Sequence, residues 1–199
     1  GTSACCLAPF VACCRTDGCL SFEDALSTYR RRVGLRLPAS DLFLCEPMSS
    51  STEDRAACTA ALESGKPVWL ALTVSDDHPE QLRSGESLKD ALQALECFDT
   101  QATLLNCSQP EAISACWSLL SAKKGRVGAY ANGFVSVDSL YPGDTVETLE
   151  MRKDMSPQQY AEHAMSWAKR GASIIGGCCE IGPQHIRALH SRLCKEGFI

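Results

Sequence analysis

Residues 68–74, with the sequence VWLALTV, carry the clearest indication of the fold class of this chain. It contains no charged residue, and its apolar side chains fall on both faces of an extended strand, because successive side chains alternate in direction. Strands that are apolar on both faces are typical of parallel sheets, since helices cover both sides of such sheets. The stretch therefore predicts a buried parallel strand in an α/β protein.

Further apolar runs alternate with amphipathic segments along the chain, which is the pattern of repeated βα units. They predict strands at residues 41–45, 102–105 and 126–130, one just before Gly176, and a less regular one at residues 4–11. The count indicates six βα units of a TIM-type barrel, which normally has eight units and about 250 residues. We therefore expect residues 1–199 to form a single α/β-barrel domain that is incomplete at its N-terminus.

Helix starts are marked by serines that are followed three residues later by an acidic residue, the spacing of a capping box. The pairs are Ser21 with Asp24, Ser51 with Asp54, and Ser108 with Glu111. Pro157 and Pro183 predict two more starts, because proline is favoured at the first helical position. Segments 75–86 and 131–155 are predicted loops, and a loop as long as the second usually has a function. Within the first loop, residues 82–86 are expected to form a solvated turn, the alternative being contact with a bound substrate.

Composition argues against several classes of function. A chain of 199 residues with 45% hydrophobic content can bury a core in one domain. Its net charge of −5 and lack of basic runs argue against nucleic-acid and anionic-membrane partners. No apolar run approaches the roughly 20 residues of a membrane span. The first residues lack the basic and apolar segments of a signal peptide, so a cytoplasmic location is predicted.

Cysteine is abundant, with 13 residues. An odd number at irregular spacing is a poor disulfide framework, so most are expected to be reduced. The N-terminal group lacks a C-x₂-C pair and a nearby histidine, and we do not expect it to bind metal. Its members are Cys5, Cys6, Cys13, Cys14 and Cys19. A second group lies on predicted apolar faces and is expected in the core: Cys45, Cys58, Cys97, Cys116 and Cys194.

The active site of an α/β barrel lies where the strands end, at their C-terminal edge. In chain order, the candidate residues at or just after strand ends are Glu46, Thr73, Asn106, Cys107, Tyr130, Asn132, Cys178 and Cys179. Adjacent thiols in a regular strand would point to opposite faces, so Gly176 and Gly177 are expected to supply a turn before the cysteine pair. Three cysteines at one edge predict a zinc site with one open position. Zinc deprotonates a bound thiol, so the predicted chemistry is thiolate attack on an electrophilic methyl group.

Several of these motifs resemble the homocysteine S-methyltransferase family. They are LNC at residues 105–107, YAN at 130–132, and GGCC at 176–179 followed by Gly182, Pro183, His185 and Ile186. Residues 41–50 are similar to that family's fourth-strand segment, so the likeness runs from about residue 40 to the end.

What this resemblance implies is a specific site. It implies that Cys107, Cys178 and Cys179 hold Zn²⁺, with the homocysteine thiolate as the fourth ligand. It implies that Glu46 binds the homocysteine amino group, and it makes Asn132 a candidate substrate-binding residue, the alternative being a turn residue before a glycine. The methyl donor would be a sulfonium compound, S-methylmethionine or S-adenosylmethionine, and the product methionine.

Two other functions stay open. The family's first strand carries an Asp-Gly motif that is not visible in this sequence, so one alternative is a truncated, catalytically impaired zinc-binding homologue. The other is a thiol oxidoreductase using the vicinal cysteines, although such enzymes have C-x-x-C spacing. His185 is expected about two turns into the last helix and not as a metal ligand. The oligomeric state is not predicted.

Overall fold

The computed structural model describes residues 1–10, 20–48, 51–137 and 149–199. Six parallel strands form one sheet in sequence order, each hydrogen-bonded to the next. The strands are β1 (Ala4–Leu7), β2 (Leu42–Met48), β3 (Val68–Leu72), β4 (Ala102–Asn106), β5 (Arg126–Tyr130) and β6 (Ile174–Ile175). The helices are α1 (Phe22–Arg36), α2 (Ser51–Leu62), α3 (Leu88–Ala94), α4 (Pro110–Ser121), α5 (Pro157–Lys169) and α6 (Pro183–Lys195), with a 3₁₀ turn at Leu37–Ala39.

The predicted α/β architecture is confirmed. A parallel sheet in strict sequence order, with helices in the connections, is the arrangement of consecutive units in a TIM-type barrel. β1 and β6 are the two ends of the sheet and do not pair with each other in the described part of the chain. The sheet therefore forms six units of a barrel that does not close on itself.

The main core lies between the sheet and the helices. Two tryptophan side chains pack against each other within it. The rings of Trp117 on α4 and Trp167 on α5 stack with centroids 6.3 Å apart, and both side chains are buried. Trp117 Nε1 donates to the Arg170 carbonyl at 3.1 Å, and Trp167 Nε1 donates to Ser114 Oγ at 2.9 Å. Because both indole N–H groups have partners, the rings are buried without an unsatisfied donor.

Two of the three predicted capping boxes, those of Ser21 and Ser108, can be compared with hydrogen bonds in the structure. Ser21 Oγ accepts from the Asp24 N–H at 3.2 Å, so that cap is confirmed. The Ser108 cap is wrong, because helix α4 has Gln109 as its N-cap. The Ser108 hydroxyl instead accepts from the Val74 N–H at 3.0 Å and donates to the Val74 carbonyl at 2.9 Å. This buried hydroxyl satisfies the backbone just beyond β3, a demand that the local sequence does not reveal.

Asp54 is not a helix cap. Its side chain is completely buried, and neither carboxylate oxygen has a hydrogen-bond partner within the described residues. The side chain of Ser51, which was expected to cap the same helix, lies outside what the structure describes. Burial, and then the negative charge nearby, raise the pKa of Asp54 well above the ordinary value.

The last helix starts at Pro183 as predicted, but His185 lies in its first turn and not two turns in. Its Nδ1 accepts from the Gly182 N–H at 3.2 Å, so the ring caps the helix end. The prediction of two turns is wrong because the helix begins at Pro183, only two residues before His185. Among the helices in the described ranges, none has the length and apolarity needed to cross a membrane.

The cysteines expected in the core divide into two sets. Cys45, Cys58 and Cys116 are buried as predicted, whereas Cys97 and Cys194 are exposed. Cys97 lies three residues beyond the end of α3, and Cys194 is the last residue but one of α6. Cys13, Cys14 and Cys19 of the N-terminal group lie outside the described residues, as does part of the predicted long loop, residues 138–148.

Candidate metal centre

Cys107 is positioned by the end of β4, directly after Asn106. Its backbone has φ of +54°, in the left-handed region that non-glycine residues seldom occupy. Two side chains hold its carbonyl oxygen in this conformation: Asn132 Nδ2 donates at 2.7 Å and Arg83 Nη2 at 2.6 Å. The Cys107 N–H donates to the Tyr130 carbonyl at 3.2 Å. Both backbone polar groups of this cysteine are therefore fixed by neighbouring segments.

The Cys178–Cys179 pair follows β6 on a turn that depends on Gly177. A Cβ atom on Gly177 would lie 2.3 Å from Ile181 Cγ2, so the close approach of this isoleucine requires glycine. The Cys178 N–H donates to the Ala131 carbonyl at 2.9 Å, which ties the turn to the segment after β5. The turn expected from the paired glycines is present.

The structure brings Cys107, Cys178 and Cys179 together at the C-terminal edge of the sheet. Their three sulfurs lie within 4.8 Å of one another, with Cys178 Sγ 3.4 Å from Cys107 Sγ and 3.9 Å from Cys179 Sγ. A tetrahedral zinc ion with Zn–S bonds of about 2.3 Å would separate its sulfurs by about 3.8 Å. The donor set therefore fits a metal that prefers thiolates, and no other group of this kind occurs in the described ranges.

The pKa values of two thiols in this cluster are shifted in opposite directions. Hydrogen bonds from Cys107 and Cys178, followed by the charge of Arg83, lower the pKa of Cys179 far below that of a free thiol. For Cys178, the hydrogen bond with Cys107 lowers the pKa, but the Cys179 thiol and burial outweigh it, so the net shift is upward. One thiolate is thus already favoured before a metal binds.

Glu46 lies within β2 as the strand reaches the same edge of the sheet. Its Oε2 accepts a hydrogen bond from the Tyr130 hydroxyl, and its carbonyl oxygen accepts a contact from Cys6 Sγ at 3.7 Å. Burial, then the Glu46 charge, raise the pKa of Tyr130 well above its usual value, so that hydroxyl keeps its proton and donates. The same two causes raise the pKa of Cys6 to about 12. The Glu46 carboxyl group is thus held by a neutral hydroxyl donor, and the Glu46 backbone carbonyl contacts a neutral thiol.

Asn132 is fully buried beside the cluster, and protein groups occupy both ends of its amide. In addition to the Cys107 contact of its Nδ2, its Oδ1 accepts from the Phe134 N–H at 3.1 Å. Outside glycine, left-handed backbone in the described residues occurs at Cys107 and Glu180 and not at Asn132. The structure therefore places Asn132 behind Cys107, where it supports the backbone of that residue, and substrate binding by Asn132 stays a prediction.

Two supporting residues were missed by the sequence reasoning. Residues 82–86 form the predicted turn, with Gly85 and Glu86 exposed, but the Arg83 side chain is only 7% exposed and lies 3.6 Å from Asp76. Opposite charges within one loop were the available signal. The second residue is Tyr160 on α5, whose hydroxyl donates to the Gly176 carbonyl at 2.5 Å and accepts from the Ala131 N–H at 3.3 Å. It links the loops after β5 and β6, and a mid-helix tyrosine gives no sign of this role.

The fold and the site define a TIM-type α/β protein with a three-cysteine cluster at the C-terminal edge of its sheet. The chain belongs to the homocysteine S-methyltransferase family, whose family model matches residues 2–193. Thus the family suggested by the motifs is confirmed, and the match extends to the N-terminal region that was not part of the resemblance.

Individual relatives agree with this assignment. Homocysteine S-methyltransferase 2 of Arabidopsis thaliana is 27% identical over 89% of this chain and 53% of its own length. Homocysteine S-methyltransferase 3 of Zea mays is 30% identical, over 83% of this chain and 48% of its own length. Selenocysteine Se-methyltransferase of Brassica oleracea var. italica is 25% identical over 89% of this chain and 51% of its own length. The chain spans about half the length of the curated relatives it matches.

The fold is also that of a solved structure. The metallated form of the homocysteine methyltransferase MmuM from Escherichia coli superposes with a TM-score of 0.76 at 24% identity. The match covers 96% of this chain and 61% of MmuM. At this identity the likeness establishes the fold alone.

Proposed function

We propose that this chain binds Zn²⁺ through Cys107, Cys178 and Cys179 and transfers a methyl group to the homocysteine thiol, giving methionine. The donor we propose is a sulfonium compound, S-methylmethionine or S-adenosylmethionine. The observation that carries the proposal is the convergence of three sulfurs within 4.8 Å at the edge of the sheet, where such folds place their active sites. Membership of the homocysteine S-methyltransferase family supports the choice of substrate.

The donor set supports the choice of metal. Three thiolates and one open position match a catalytic zinc site, whereas structural sites are closed by a fourth protein ligand. Bound zinc lowers the pKa of a coordinated substrate thiol, so that the thiol is a thiolate at neutral pH. A lone pair of the homocysteine sulfur forms the new S–CH₃ bond while the methyl–sulfonium bond breaks. The donor leaves as a neutral thioether, and the thiol proton goes to solvent.

The role we propose for Glu46 is to bind the substrate ammonium group. A carboxylate has about four acceptor sites, so the hydrogen bond from Tyr130 leaves room for an ammonium donor. Tyr130 would restrict the carboxylate to one orientation and so fix the distance between the substrate amine and its thiol. Fixing a substrate at both ends favours the attack geometry that the transfer needs.

The second candidate function is a zinc-binding homologue without turnover. It is favoured by the six-stranded sheet, which leaves β1 and β6 as open ends, and by the chain's span of about half of its relatives. Such a chain would hold the metal while lacking part of the substrate pocket. For location, no disulfide joins any two of the ten cysteines that the structure describes, which fits the reducing cytoplasm we propose.

Metal content and methyl transfer, measured on the same preparation, test the two candidates. We expect one zinc per chain, lost in Cys107→Ala and Cys178→Ala but kept in the control Cys97→Ala, whose thiol is exposed and is not part of the cluster. Homocysteine-dependent formation of methionine from either sulfonium donor supports the enzyme. Selenocysteine should be assayed beside homocysteine, since relatives with that activity match the chain. Zinc binding without any turnover supports the impaired homologue, and absence of zinc contradicts both.

A further inference from the structure

We propose that Arg83 is a positioning residue of the metal centre. Its buried guanidinium would hold the Cys107 backbone in the metal-binding conformation and place a positive charge beside the three thiolates. The inference rests on the proposed zinc site and adds to it a residue from the loop between β3 and α3. That loop belongs to neither of the two segments that supply the cysteines.

The first observation is how the guanidinium is held. The Arg83 side chain is 7% exposed, and its Nη2 donates to the Cys107 carbonyl at 2.6 Å. This carbonyl belongs to Cys107, whose φ of +54° is unfavourable for residues other than glycine. A charged hydrogen bond from a planar, rigid group is strong and directional. It therefore compensates the backbone conformation that turns the Cys107 sulfur toward the other two.

The second observation is the ionic partner of Arg83. The same Nη2 that donates to the Cys107 carbonyl lies 3.6 Å from Asp76 Oδ2. Asp76 Oδ1 in turn accepts from the Gln109 N–H at 2.7 Å, next to the start of α4. A buried arginine needs partners of this kind, since an unpaired one would be too costly.

The net negative charge of the proposed site explains why a cation beside it would be stabilising. Three thiolates and Zn²⁺ carry a net charge of −1, and a bound substrate thiolate makes it −2. Within a partly buried site, a neighbouring cation stabilises that charge more than it would in water. Outer-shell partners of metal ligands typically change metal affinity by about 10- to 100-fold when they are removed. We expect an effect of this size at Arg83.

The test is a zinc affinity series on the full chain, measured by competition with a chromophoric chelator. Arg83→Lys keeps the charge, Arg83→Gln keeps a neutral donor, and Arg83→Met keeps neither. We expect the Met variant to lose about 10- to 100-fold in zinc affinity and the other two to fall between it and the unmodified chain. The matched control is Arg30→Met, which breaks an exposed ion pair with Glu63 and should not change zinc affinity.

A spectroscopic measurement separates positioning from general stability. The absorption bands of Co²⁺ bound in place of zinc depend on ligand geometry, and they should shift in Arg83→Met but not in Arg30→Met. Partial recovery of both affinity and spectrum in Arg83→Lys supports the proposal. If Arg83→Met does not fold, Arg83→Gln decides, and unchanged affinity and spectrum in the folded variants overturn the inference. Failure of the unmodified chain to bind either metal would instead overturn the proposed function.

Discussion

The Tyr130 hydroxyl donates a hydrogen bond to Glu46 Oε2, joining the end of β5 to the end of β2. The two strands are not neighbours, since β3 and β4 lie between them in the sheet. Because Tyr130 is half-buried and stays protonated beside a carboxylate, the contact fixes where the acidic group points. Because the Tyr130 carbonyl also accepts from the Cys107 N–H, the Glu46 carboxyl group is held in a fixed position relative to the cysteine cluster.

Tyr130→Phe should weaken homocysteine binding without changing zinc content. A hydrogen bond to a charged group contributes about 1.5–3 kcal/mol, so the dissociation constant should rise about tenfold or more. Calorimetric titration of the zinc-loaded chain with homocysteine measures this without requiring turnover. Tyr29→Phe is the matched control, because that tyrosine donates to Glu53 at 3.0 Å in the core beside α2. Equal affinities for the Tyr130 variant and the unmodified chain would show that Glu46 does not depend on this contact.

Gly177→Ala should disrupt the cysteine turn. The added Cβ would lie 2.3 Å from Ile181 Cγ2 and 2.7 Å from Ile181 Cβ, so the backbone must move. Overpacking of this kind costs about 1–3 kcal/mol, and we expect the free energy of unfolding and the zinc affinity to fall together. In the adjacent control, Gly176→Ala, the new Cβ meets only Tyr130 Cβ at 3.4 Å. A Gly177→Ala chain with unchanged zinc affinity would show that the turn tolerates a side chain.

Asp54 and Glu53 are adjacent buried acids that should respond in opposite ways to substitution by leucine. Asp54 has no hydrogen-bond partner among the described residues, so Asp54→Leu should raise the free energy of unfolding by about 1–3 kcal/mol at pH 7. Glu53 Oε1 accepts from the Phe10 N–H at 2.7 Å and from the Tyr29 hydroxyl. Glu53→Leu should therefore lower stability by a similar amount. Urea unfolding measures both, and a loss of stability in Asp54→Leu would contradict the account.

Asp54 should also make stability depend on pH. Its pKa is raised in the folded chain, so between the unfolded value, about 3.9, and the folded value the native state binds more protons. Within that window the free energy of unfolding falls as pH rises, by up to about 1.4 kcal/mol per pH unit. The difference in stability between Asp54→Asn and the unmodified chain should therefore grow with pH from 4 upward. A difference that is independent of pH would show that the carboxyl is not buried in its neutral form.

The convergence of the cysteines was predictable from the sequence because it follows from topology. Parallel strands in sequence order end at one edge, so a cysteine after β4 and a pair after β6 share that edge once the strands are placed. The apolar run of β3 and the glycines before Cys178 were sufficient for this step. The distances between the sulfurs were not predictable, because they depend on the left-handed backbone at Cys107 and the close packing of Gly177.

What the sequence could not reveal are contacts between segments far apart along the chain. Ser108 has the spacing of a cap, yet its hydroxyl binds the backbone at Val74, 34 positions earlier. Arg83 belongs to a polar loop that resembles an ordinary surface turn, yet it reaches the Cys107 carbonyl. Local sequence patterns predict hydrogen bonds to neighbours in the chain. Both side chains instead bind a backbone carbonyl in another loop. Such supporting contacts are set by packing, which periodicity does not describe.

We propose that three cysteines hold zinc and leave one position open for a substrate thiol. X-ray absorption at the zinc edge, on the zinc-loaded chain with and without homocysteine, counts the sulfur ligands of the metal. We expect three sulfur ligands at about 2.3 Å and one lighter ligand in the free protein, and a fourth sulfur when homocysteine is added. Fewer than three sulfurs, or a ligand set that homocysteine leaves unchanged, would disprove the proposed site.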